Sequence, residues 1–101
     1  MRRLLDLKDA YALADRADTL AGEGRATEAA ALYAGAAAAA PESAELAFWA
    51  GLGIAATGDL ESGSERVRAA IAASSGLGEL LGRLEPEIAP SAAAVRERLA
   101  G

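Results

Sequence analysis

Glu85 and Glu87 flank Pro86, and theirs is the spacing that best imitates a paired acid–base site. Such a site needs one acid held protonated and the other ionised, inside a shaped and partly dry pocket. Two acids in a Pro-interrupted connection read instead as a solvated turn. Other catalytic ingredients are missing. The chain has no histidine and no cysteine, which removes the commonest general base, the usual nucleophilic dyads and the main transition-metal ligands. Ser43, Ser62, Ser64, Ser74, Ser75 and Ser91 each lack an evident base, and the only lysine, Lys8, falls in the first helix. Gly51-Leu-Gly53-Ile-Ala-Ala56 has the spelling of a dinucleotide loop, but such a loop must follow a β-strand, and the residues around it have a helical pattern. No catalytic residue, cofactor or metal is expected, and the chain reads as non-enzymatic.

The elements that would position any site are helices. Alanine, the strongest helix former, dominates the composition. The β-branched residues Thr19, Thr27, Ile54, Thr57, Val67, Ile71, Ile88 and Val95 never alternate over a strand's length. An all-α fold with thin, close contacts is expected, since alanine contributes little buried area. A chain of 101 residues forms one domain. The net charge of −5 disfavours nucleic acid and anionic membrane as partners. Met1-Arg-Arg-Leu-Leu5 imitates the start of an export signal, but Asp6, Lys8 and Asp9 interrupt it. The apolar run 29–40 is too short to span a membrane. The expected location is therefore cytoplasmic.

Sliding the chain on itself by 34 residues places Gly24 on Gly58, Leu20 on Ile54, Ala17 on Gly51, Tyr33 on Val67 and Ala36 on Ala70. Two units follow, 10–43 and 44–77, with a capping segment 78–101. Leu13, Ala17 and Leu20 share a helical face that ends at Gly22-Glu-Gly24. A second helix over 27–40 carries Ala29, Leu32, Tyr33 and Ala36 inward and stops before Pro41. Ser43 and Asp59 are placed to cap the next two helices. The first of these has the stripe Leu46, Ala47, Ala50, Gly51, Ile54; the second carries Val67, Ala70 and Ile71. Gly51 is expected to admit a neighbouring backbone. Leu77, Leu80, Leu81 and Leu84 mark a short helix broken by Pro86 and Pro90, and Val95 and Leu99 lie on a last one.

This pattern resembles the tetratricopeptide repeat, through Ala17, Gly24, Ala29, Tyr33, Ala36 and Pro41, then Gly51, Gly58, Gly63, Val67 and Ala70. The resemblance implies antiparallel helix hairpins stacked as a short right-handed array of about five to six helices. Val67 stands where the family has an aromatic, and Ser75 where it has proline, which predicts a looser outer helix in the second unit. Arg25 replaces a frequent Asp. More narrowly, "RRLLDLKDAY", "ELAFWAGLGIAATGD", "VRAAIA" and "GELLGRL", in that order, look like the C-terminal appendage of a bacterial family of unknown function. That appendage is catalogued as peptidoglycan-binding and follows a domain resembling N-terminal-nucleophile hydrolases. The resemblance implies that a hydrolase-like domain is missing here and could be a partner.

In the tetratricopeptide arrangement the first helix of each pair lines a concave groove. The resemblance therefore places Glu45, Phe48, Leu52 and Ala55 there, with Trp49 at the edge and Tyr11, Asp15 and Asp18 joining from the first unit. Two readings of Phe48 and Trp49 stand. They are covered by Leu4, Leu5 and Leu7 or by the C-terminal helix, or they form an exposed patch for a partner segment or a sugar face. Family grooves that hold acidic tails carry Lys, Arg and Asn at these places, whereas this chain has Asp15, Asp18, Glu45 and Leu52. A neutral, apolar or basic protein segment fits better, with apolar anchors supplying affinity and acids orientation. A homodimer is a further option. The reading is thus an interaction or appendage module, with cell-wall glycan binding as the alternative.

Overall fold

A computed structural model describes the backbone of residues 2–84 and 91–100 and the side chains of residues 8–84 and 91–100. Among the described residues there are six helices and no strand: α1 (Arg2–Gly22), α2 (Ala26–Ala39), α3 (Ala44–Ala56), α4 (Leu60–Ala73), α5 (Gly76–Arg83) and α6 (Ala92–Ala100). Glu85 and Glu87, read as a solvated turn, and the side chains of Leu4, Leu5 and Leu7 lie outside this description.

Local chemistry sets the helix ends. After α1 the Gly24 N–H donates to the Ala21 carbonyl (3.0 Å) and the Arg25 N–H to Leu20 (2.9 Å), a paired closure that needs a left-handed residue at Gly24, where φ is 80°. Gly58, with φ 109°, ends α3 in the same region. Ser43 Oγ accepts from the Leu46 N–H at 3.2 Å, and Asp59 Oδ1 from Ser62 at 3.1 Å, satisfying donors at the starts of α3 and α4. Arg25 precedes α2 without a side-chain cap. Its guanidinium instead makes a bidentate pair with Glu28, Nε to Oε1 at 2.5 Å and Nη2 to Oε2 at 2.9 Å.

The core has two parts. The first joins α1, α2 and α3 and is almost entirely alanine, with Tyr33 and Leu46 its large members. The second departs from the expected thin packing: Phe48, Leu52, Val67, Leu77, Leu81, Leu84 and Val95 pack together. The reason is that α5 and α6 fold back on the second helix pair and bring leucine and valine to it. Arg96 secures this, donating from Nη1 to the Leu81 carbonyl near the C-terminus of α5 at 2.9 Å.

Helix α3 is thinned on two opposite sides. A Cβ at Gly51 would lie 2.8 Å from the Gly63 carbonyl oxygen and 3.0 Å from the Val67 nitrogen, so α4 crosses with backbone against backbone. On the other side a Cβ at Gly53 would lie 2.9 Å from the Tyr33 ring of α2. The glycines beside Phe48 and Trp49 therefore admit both neighbouring helices. The expectation of a looser α4 is corrected by the same geometry: Val67 is fully buried, because Gly63 lets α4 approach closely enough for a valine to fill the space an aromatic would need.

Candidate functional site

Facing helices α1 and α3 enclose a groove of about 620 Å³ with contributions from Tyr33 of α2 and Ser91 just before α6. Tyr11, Asp15 and Asp18 line it from α1, and Glu45, Trp49 and Leu52 from α3. Ala14, Ala21, Leu46, Gly53 and Ala56 supply apolar surface between them. Helical spacing puts 11, 15 and 18 on one face of α1, and 45, 49 and 52 on one face of α3.

Phe48 is the correction. Expected on the groove side, it is fully buried in the second core. Successive residues on a helix point about 100° apart, so the face presented to α5 and α6 takes Phe48 and leaves its neighbour Trp49 to the groove. Trp49 is half-buried, packs against both cores and meets Phe48 edge-to-face with ring centroids 5.3 Å apart. The covering reading thus holds for Phe48 through the C-terminal helices, while Trp49 remains partly open. Leu52 lines the wall, but at 3% exposure it is mostly core, and Ala55, also expected on the groove side, is buried against Gly63 of α4.

Polar contacts orient the acids. The Tyr33 hydroxyl donates to Asp18 Oδ1. The Tyr11 hydroxyl lies 3.4 Å from Glu45 Oε1 and 3.4 Å from Ser43 Oγ, linking α1 to the start of α3. Burial, and then Asp18, push the Tyr33 phenol well above its ordinary pKa, so it stays a donor. Ser91 Oγ donates to the Leu52 carbonyl at 2.8 Å and closes one side.

By sequence Tyr33 belongs to packing, Gly53 to a dinucleotide-like spelling and Ser91 to the capping segment 78–101. Tyr33 reaches the groove because Gly53 has no side chain in its path, a pairing that only contact between α2 and α3 creates. The dinucleotide-like spelling 51–56 lies inside α3. Among the described residues no group of acids is arranged to hold a metal ion, and no helix is long and apolar enough to cross a membrane. No family model matches the chain, and no curated protein or solved structure is significantly similar to it.

Proposed function

We propose that this chain is a non-catalytic protein-interaction module in which two tetratricopeptide-like helix pairs, 10–43 and 44–77, present the α1/α3 groove to a partner segment. The groove carries the proposal: six side chains from two helices, one repeat length apart, converge on one concavity with a half-buried tryptophan in it. Three further features support the repeat reading. Both left-handed glycines recur at the repeat distance. Tyr11 and Glu45, which occupy the same place in the two units, touch. Within pairs the contacts run in opposite senses: Asp18 meets Tyr33 while Leu13 meets Gly35, and Gly51 meets Val67 while Ala55 meets Gly63.

The partner is a peptide-like segment, supplied in trans, by a hydrolase-like domain or by a second copy. A photo-crosslinking residue at position 21, on the groove but outside its acids, should yield an adduct in cells that one at exposed position 31 on α2 does not. Asp15→Ala and Trp49→Ala should each weaken binding of the crosslinked partner to the unlabelled protein, with helicity retained in Asp15→Ala. Equal adducts from both positions would remove the groove from consideration.

A second reading rests on Trp49 beside carboxylates, an arrangement that also suits a sugar ring. In that case the chain would pellet with insoluble peptidoglycan, and Trp49→Ala would leave it in the supernatant.

A further inference from the structure

We infer that the groove seats an arginine side chain of the partner segment, its guanidinium against the Trp49 indole and paired with the Asp15 carboxylate, with those of Asp18 and Glu45 along the same groove. The inference rests on the groove reading above and names the chemistry recognised there.

Tyr11, Tyr33 and Trp49, three of the four aromatic residues of the chain, line one groove together with three carboxylates. Among the described residues, the ion pairs engage Glu23, Glu28 and Glu61 with Arg25 and Arg98, and none of the three groove acids has a cationic partner. Tyrosine hydroxyls hold Asp18 and Glu45 in place, but a neutral donor orients a carboxylate without neutralising it. Three like charges around an apolar concavity concentrate negative potential, which draws in a cation. An acidic or neutral occupant would strip water from these acids and leave their charge unpaired.

The apolar lining selects among cations. Ala14, Gly53 and Ala56 offer no polar atoms from their side chains, which suits a weakly hydrated, planar guanidinium better than a strongly hydrated ammonium. A guanidinium also stacks on aromatic rings and pairs in fork geometry with carboxylates.

Trp49 is the only tryptophan, so its fluorescence reports on the groove directly. The probes are pooled capped pentapeptides with a central arginine between apolar residues, and matching pools with citrulline, lysine or glutamate at the centre. The arginine pool should bind about tenfold more tightly than the citrulline pool, given modest cation–π and exposed ion-pair contributions acting together. That preference should shrink in Asp15→Asn, whose carboxylate makes no fold-supporting contact among the described residues, and further with Glu45→Gln added, while helicity is retained.

Equal binding of the arginine and citrulline pools, a lysine or glutamate pool that binds best, or a preference untouched in Asp15→Asn would overturn the arginine assignment while the groove reading stood. Should no pool change Trp49 emission, both would fall.

Discussion

Replacing Gly63 with alanine tests the close crossing of α3 and α4. The added Cβ would lie 2.5 Å from the Gly51 carbonyl oxygen, 2.7 Å from the Ala55 nitrogen and 2.8 Å from Ala55 Cβ. Two of those atoms are backbone, so relief requires the helices to separate by several tenths of an ångström. Separation would loosen Val67, which is buried along the same contact. Alanine gains about 1 kcal/mol over glycine in helix propensity, while overpacking costs about 1–3 kcal/mol. With backbone as the obstacle the upper end applies, and the net loss is about 1–2 kcal/mol.

Gly51→Ala should behave similarly but more mildly, since its close atoms lie farther off, at 2.8, 2.8 and 3.0 Å. Its cost should not add fully to that of Gly63→Ala, because one separation relieves both. The control is Gly35→Ala in α2, whose Cβ would meet only Leu13 Cδ1 at 3.8 Å. That contact is ordinary, so the propensity gain of up to about 1 kcal/mol should appear as stabilisation. Urea and thermal unfolding followed by circular dichroism would read opposite signs, with about 4–8 °C in Tm per kcal/mol for a domain near this size. A Gly63→Ala protein as stable as Gly35→Ala would refute the backbone-to-backbone crossing.

Tyr33→Phe removes a part-buried hydrogen bond to Asp18 and should cost about 0.5–1.5 kcal/mol in the same assay. It should also change the pH dependence. Because burial and Asp18 raise the phenol's folded pKa above its unfolded value of about 10, that contribution is full below pH 10 and is lost as pH rises through the folded value. Unfolding midpoints on either side of about pH 10 should therefore fall less in Tyr33→Phe than in the parent. Ser64 is 1% exposed and its hydroxyl has no hydrogen-bond partner among the described residues. Ser64→Ala should accordingly stabilise the fold by about 0.5–1 kcal/mol through restored helix propensity and a removed desolvation cost; a loss of stability would mean that the hydroxyl is satisfied.

The all-helical character, the number of helices and most of their ends were legible in the sequence, because the forces that set them act within about four residues. Ser43 and Asp59 cap helices that begin beside them, and Gly24 and Gly58 take left-handed conformations wherever their helices pack. The close approach at Gly51 was legible too, since a mid-helix glycine costs stability unless packing recovers it. Its partner Gly63 was not recognised as the other half of the contact. Tertiary structure alone decided that Phe48 is core and Trp49 faces the groove, that Tyr33 reaches past Gly53 to Asp18, and that α5 and α6 give the second helix pair a leucine-rich core. Residue periodicity tells which side chains share a face of a helix. Where other helices press on several sides of α3, the face left open depends on where distant segments come to rest, and no local interaction encodes that.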